Sequence, residues 1–290
     1  MHKMSVGLLH PGEMGVSVGA SAMRSGHPVY WASEGRSTET SLRAQKSNLV
    51  DLGTLTALCA RVEVVLSICP PHAAEEVLDD VIGAGFSGIY VDANAISPQK
   101  SMRLAAKCSQ HGLEYVDGAI VGGPAWQSGS THLYLSGDHA GLVARLFDEG
   151  LLETCLLGDQ PGRASALKMC FAAYSKGSTA LVTMFLAAST SLGVREELMK
   201  LWSLDGSTFA EEAEMRALRV TRKAWRFAGE MDEIADTFAG EGLPDGFHQA
   251  AHEIYARLSH FKDRKSLPAL DEVVTSLLEP RRDHVGERSS

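Results

Sequence analysis

Short, almost uniformly apolar runs alternate with longer segments of helical period through the first half of the chain. The runs are MSVGLL (4–9), HPVYWA (27–32), VEVVLSIC (62–69), GIYVDA (88–93), LEYVDG (113–118) and THLYLSG (131–137). Several lack the polar alternation that a sheet with one solvated face imposes, so they predict a mainly parallel sheet covered by helices on both sides. Glycines and prolines punctuate the ends of the runs, where turns are needed. The pattern changes at GDQPGR, residues 158–163, beyond which ASALKMCFAAYSKGSTALVTMFLAASTSLGV is apolar almost all round and free of proline. That stretch predicts one long buried helix. Helical period continues to residue 279, broken by GEGLPDG at 240–246, and the tail EPRRDHVGERSS is charged and expected to fray. The expected architecture is α/β, with a doubly wound parallel sheet in residues 1–160 joined by a long interdomain helix to an all-α domain in residues 161–290.

Composition narrows the partners. The 290 residues carry a formal net charge of -9, with a sequence pI near 5.7. Such a chain has no basic field to attract a phosphate backbone, which disfavours nucleic acid and leaves small molecules or another protein. Cys59, Cys69, Cys108, Cys155 and Cys170 are scattered without a CxxC pair, so neither a disulfide framework nor a thiolate zinc site is expected, and a reducing cytoplasm fits. The apolar run at the start is too short for a signal peptide, and later runs are too short or too polar to cross a bilayer, so a soluble protein without membrane contact is expected.

The stretch GLLHPGEMG, residues 7–15, follows the first apolar run and opens a helical segment. The first βα turn of a Rossmann dinucleotide fold uses glycines for a tight turn, for backbone approach to a pyrophosphate and for helix–strand packing. Gly12 and Gly15 occupy the second and third roles, and His10 stands in the first. Pro11 pushes His10 toward extended backbone and fixes its own φ, so proline stiffness can make the turn that glycine freedom makes elsewhere. His10, Pro11, Gly12, Glu13 and Met14 are then the candidate cofactor loop, with the N-H groups of the helix start aimed at a phosphate and the Glu13 carboxylate turned away. An ordinary strand–turn–helix connection would read the same way.

About twenty residues on, where the fingerprint places its ribose contact, the second run ends in WASEGRS. Glu34 favours a ribose hydroxyl, whereas Arg36 with Ser33 and Ser37 suits a 2′-phosphate. The serine-rich turn with one arginine inclines the reading to NADP, with NAD possible.

Taken together, these segments resemble the β-hydroxyacid dehydrogenase superfamily, which holds 3-hydroxyisobutyrate, tartronate-semialdehyde and 6-phosphogluconate dehydrogenases and the imine reductases. The carriers are GEMG at 12–15, SICPPHAAEEVL at 67–78, VDANAISP at 91–98, DGAIVGG at 117–123 and GRASALKMC at 162–170, with FAGEMDEIADTF at 227–238 resembling a divergent phosphogluconate-dehydrogenase-like subgroup. The resemblance implies an oxidoreductase moving hydride between nicotinamide and a small hydroxyacid or carbonyl compound. It assigns the proton-transfer role to Lys168, places Cys69, Pro70 and Pro71 over the cofactor, and makes Val121, Gly122 and Gly123 the substrate segment. It also implies a homodimer. Val121 replaces the serine that usually holds a substrate carboxylate, and Phe171 and Ala172 replace asparagines, so reduction of an imine is an alternative. A dinucleotide-binding sensor without turnover is another.

Read from the residues themselves, Lys168 lies among Ala166, Leu167, Met169, Cys170 and Phe171, an apolar setting that lowers a lysine's pKa toward the range of proton exchange. A stem lying on apolar surface with its head in water is the competing reading. Asn94 could contact substrate or the nicotinamide amide, or simply make a turn, and Gly122 and Gly123 could offer bare N-H groups to an oxygen. Tyr174, two turns beyond Lys168, and His248 are further candidates for the substrate. His248 and His252 have a zinc-compatible i, i+4 spacing, but a third ligand is lacking and no metal is expected. Trp225, Phe227, Met231 and Ile234 have the spacing of core or dimer contacts.

Overall fold

The computed structural model describes residues 3–279, apart from the side chain of Asp205. Residues 280–290, most of the charged tail, lie outside it. The strands are β1 (Val6–Leu8), β2 (Val29–Trp31), β3 (Val50–Asp51), β4 (Val64–Ser67), β5 (Ile89–Asp92), β6 (Glu114–Gly122), β7 (Thr131–Ser136) and β8 (Glu153–Leu156). They form one sheet in the order β3-β2-β1-β4-β5-β6-β7-β8, parallel throughout except between β6 and β7. All six apolar runs are strands. Two strands escape the pattern because they carry little of it: β3 is two exposed residues, and β8, ETCL, is only half covered.

Helices cover both faces, as uniformly apolar strands require. The interleaved helices are α1 (Glu13–Arg24), α2 (Thr38–Lys46), α3 (Leu55–Cys59), α4 (Ala74–Gly83), α5 (Pro98–Gln110) and α6 (Ala140–Ala144). One core gathers Leu8, Val16, Val18, Val91, Val116 and Leu146, and the other gathers Leu58, Val65, Leu78, Tyr90, Ile96 and Leu104. Alternate residues of a strand thus face different helical layers. The order reverses between β1 and β4, which opens the crevice where such sheets bind ligands at their carboxyl edge.

The remainder is helical: α7 (Arg163–Ser191), α8 (Arg195–Trp202), α9 (Phe209–Val220), α10 (Ala224–Gly240), α11 (Gly246–Arg257) and α12 (Leu270–Leu278). The chain divides into two compact units, 1–171 and 172–290, so the division falls inside α7. In the second unit, Val182, Leu186, Ala213 and Ala217 form a core cluster, and a buried ion pair joins Lys176 to Glu230. Met231 and Ile234 are fully buried, while Trp225 is partly exposed and lies under the Lys262 ammonium, 4.2 Å from its ring centroid.

One expectation needs correction. The long helix is not buried all round: Leu167, Phe171, Tyr174, Met184 and Phe185 are exposed in the single chain. An apolar circumference exceeds what the chain's own elements cover, so periodicity alone could not say which side stays open.

Candidate nicotinamide coenzyme site

The β1–α1 loop contains a turn that the His-Pro pair makes. The Gly12 N-H donates to the His10 carbonyl at 2.8 Å, closing a three-residue turn around Pro11, whose ring already holds φ near the value needed. The Gly12 N-H is therefore spent inside the loop, and the donors left at the start of α1 are those of Glu13 and Met14 onward, which have no intrahelical carbonyl. Arg43, on α2, donates from Nη1 to the Pro11 carbonyl at 3.1 Å and braces the turn from the next helix. A Cβ on Gly15 would lie 2.3 Å from the His10 carbonyl oxygen, so glycine is compulsory there. A Cβ on Gly12 would meet nothing within 4 Å. One glycine serves the fold and the other leaves backbone bare toward open space, a cradle that fits a pyrophosphate. Glu13 is exposed.

His10 is neutral in this setting. Burial, and secondarily the nearby charge of Arg36, push its pKa down to about 4, and its Nδ1 is buried with no hydrogen-bond partner among the described residues. The influence of Arg36 brings the β2–α2 turn into the same neighbourhood. In that turn Gly35 has φ +70, and the Arg36 N-H bonds the Ser33 carbonyl at 3.0 Å. The Ser33 N-H donates to Asp51, and the Ser37 hydroxyl caps α2 by accepting from the Thr40 N-H. Glu34, Arg36 and Ser37 are exposed.

Across the reversal point, Pro70 and Pro71 shape the loop after β4, and Lys100 donates to the Pro71 carbonyl at 2.7 Å. Asn94 holds this loop from below. Its Oδ1 accepts from the Cys69 N-H at 2.5 Å, while its Nδ2 donates to Ser67 Oγ and to Asp92 Oδ2. With 3 % of its surface exposed, Asn94 supports the loop from within. Asp92 beneath it is fully buried, and desolvation pushes its pKa up to about 7, against the hydrogen bonds from Asn94 and with the charge of Asp117 adding to the rise. Burial raises the Cys69 thiol to about 12, so it is an inert packed group.

Strand β6 runs past the end of β5: Asp117 pairs with Asp92, the last residue of β5, and residues 118–122 continue beyond it. Lys168 meets this overhang, its Nζ donating to the Ile120 carbonyl at 2.6 Å. The amine and the Val121–Gly123 segment are thus brought together on the carboxyl side of the sheet. Gly122 is explained by strand pairing, because at φ +120 a Cβ there would lie 2.3 Å from the Ser130 carbonyl oxygen. Gly123 has open space at that position. In the second unit, Tyr174 is exposed, whereas His248 is 5 % exposed and packs against Phe238 and Phe247. Burial lowers the His248 pKa. His252 bonds Asp232 and Glu253 bonds Arg257; among the described residues no three His, Cys, Asp or Glu side chains are grouped to hold a metal. No helix among the described residues is long and apolar enough to cross a membrane.

Arg43 and Asp51 escaped the sequence reading, while Ser67 and Asp92 entered it only as members of SICPPHAAEEVL and VDANAISP, without a role. Arg43 acts across a tertiary contact, whereas Asp51 ends an unread strand, where a better strand signal could have drawn attention to it.

Comparison with known proteins agrees with this geometry. Residues 5–145 match the NAD binding domain of 6-phosphogluconate dehydrogenase, and residues 189–258 match a domain of unknown function, DUF1932. An uncharacterised 28.5 kDa protein of Methanothermus fervidus is 25 % identical over 186 residues, 64 % of this chain and 71 % of that one. A conserved protein of unknown function, whose structure is described as similar to 3-hydroxyacid dehydrogenases, superposes with a TM-score of 0.66 at 27 % identity, over 89 % of this chain and 97 % of the other. The 3-hydroxyisobutyrate dehydrogenase of Mycobacterium tuberculosis, solved with L-serine, shares the fold at TM-score 0.69 and 17 % identity, over 96 % of this chain and all of the other. An imine reductase of Myxococcus stipitatus in complex with NAD+ does so at 0.55 and 17 %, over the same shares. With a Rossmann half matching the NAD binding domain of 6-phosphogluconate dehydrogenase, a helical half carrying DUF1932 and 3-hydroxyacid dehydrogenases among its structural neighbours, the chain is similar to divergent 6-phosphogluconate-dehydrogenase-like proteins of the β-hydroxyacid dehydrogenase superfamily.

Proposed function

We propose that the protein is an NADP(H)-dependent oxidoreductase acting on a small hydroxyacid or carbonyl compound, with Lys168 as general acid and base. The observation that carries this reading is the Lys168 amine, fixed 2.6 Å from the carbonyl of Ile120 on the strand that leads into Val121–Gly123. When bound, the coenzyme supplies or accepts the hydride. The N-H groups of Glu13 and Met14 hold its pyrophosphate, Arg36 with the Ser33–Ser37 turn holds the 2′-phosphate, and the Pro70–Pro71 loop closes over it. Lys168 gives or takes the proton on the substrate oxygen, a task that suits an amine carried among apolar neighbours and anchored to the Ile120 carbonyl. Val121 puts an aliphatic group where a carboxylate-binding hydroxyl would stand, which favours substrates without a carboxylate there and keeps an imine as the second reading. A second copy of the chain, covering Phe171 and the other exposed apolar residues of α7, belongs to the same proposal.

Titration of the protein with NADPH and NADH, followed by turnover on ketone, hydroxyacid and imine panels, tests it. Lys168→Ala should reduce kcat by about 10²-fold or more, the usual worth of a positioned acid–base group, while coenzyme affinity stays near that of the wild type. Coenzyme binding without turnover on any panel would favour a sensor.

A further inference from the structure

Asp117 sits on β6 three residues before the carbonyl that holds Lys168, and it has no exposed surface. All four of its hydrogen bonds are received. Oδ2 accepts from Ser136 Oγ at 3.0 Å, from the Gly162 N-H at 2.9 Å and from the Ser165 N-H at 3.0 Å, and Oδ1 accepts from Ser165 Oγ at 2.6 Å. Ser136 in turn accepts from the Ala164 N-H at 3.2 Å. The first-turn N-H groups of α7, which have no intrahelical acceptors, are therefore satisfied by side chains of β6 and β7 rather than by a local cap. A negative group at this end also complements the helix dipole.

This arrangement closes a circuit. Asp117 ties Ser165 to β6, the helix carries the chain from Ser165 to Lys168, and Lys168 Nζ returns to β6 at Ile120. A lysine side chain is long and flexible, so its amine is well placed only when the backbone that carries it is fixed in both phase and height relative to its target. A cap from within the 158–163 loop would fix the helix to that loop. The Asp117 bonds fix it to the strand that presents Val121–Gly123.

We propose that Asp117 is a positioning residue for the Lys168 amine, acting through Ser165 and the first turn of α7. The role rests on the proposed function of Lys168, and the test is read first without turnover. In the full-length protein, competitive labelling of amines with acetic anhydride, followed by mass spectrometry of the Lys168 peptide, reports how freely the amine is presented. Asp117→Asn puts an amide donor or a neutral acceptor against these N-H groups. It should raise Lys168 labelling by roughly tenfold, the weight of one lost hydrogen bond to a charged group. It should also speed hydrogen exchange in residues 163–168 and lower kcat far more than it changes KM or NADPH affinity. Ser165→Ala keeps the carboxylate and should move labelling in the same direction by less.

A folded Asp117→Asn protein with wild-type Lys168 labelling overturns the proposal, even if its Tm is lower, because a purely structural role predicts that result. Should Asp117→Asn fail to fold, unchanged labelling in Ser165→Ala overturns it equally. Absence of turnover in the wild type would refute the proposed activity and leave the labelling result to decide the clamp.

Discussion

At the scale of single residues, the two glycines of the β1–α1 loop have separable jobs. Gly15 packs against a carbonyl, so Gly15→Ala should cost about 3 kcal/mol by forcing the loop backbone to move. Gly12→Ala meets open space and should change stability by less than about 0.5 kcal/mol, yet weaken NADPH binding roughly tenfold by filling the cradle. Thermal unfolding and coenzyme titration of both variants check the pair, and the reverse assignment would mean the loop does not face the phosphates. His10 makes a pH prediction. Its pKa is depressed in the folded state to about 4, so the unfolded chain takes up the proton first as pH falls. The stability from its neutral form is complete above pH 6.5 and is lost as the pH drops toward 4, by at most about 3 kcal/mol. Asp92 tilts the other way, because its raised pKa favours the folded state at low pH and withdraws that support as pH rises toward 7. The comparison of variants separates them: His10→Asn should lose less stability than the wild type between pH 7 and pH 4 in urea titrations.

At the scale of elements, what the apolar pattern conveyed was periodicity, and it located the six long strands and the long helix. The expected cofactor loop was legible because glycine, proline and a helix start are local features. Its actual construction was less so. The turn spends the Gly12 N-H on His10 and is braced by Arg43, thirty-two residues away, and no local spacing records that contact. The same limit explains Asn94, whose position after a strand suggested a ligand contact. Buried beside Asp92 and Ser67, an amide can satisfy several partners at once, and here it fixes the loop over the crevice. Gly122 likewise owes its missing side chain to strand pairing, a contact with Ser130 that local sequence does not record.

At the scale of the whole molecule, the exposed side of α7 has the composition of a core and is uncovered in the single chain. A proposed second copy would bury it, and Phe171→Glu tests this by light scattering on a sizing column: the wild type should elute with twice the monomer mass and the variant with one. A wild type of monomer mass would remove the second copy from the proposal. The sequence by itself determined the order of strands and helices, the glycine- and proline-bearing loop after the first strand and the lysine early in the long helix, because hydrophobic period, turn chemistry and motif order are properties of neighbouring residues. Tertiary structure alone decided which polar side chains are consumed in supporting bonds. The hydrogen bonds of Asn94, Asp117, Arg43 and Ser165 link segments tens of residues apart, and a buried donor or acceptor takes whichever partner folding brings to it.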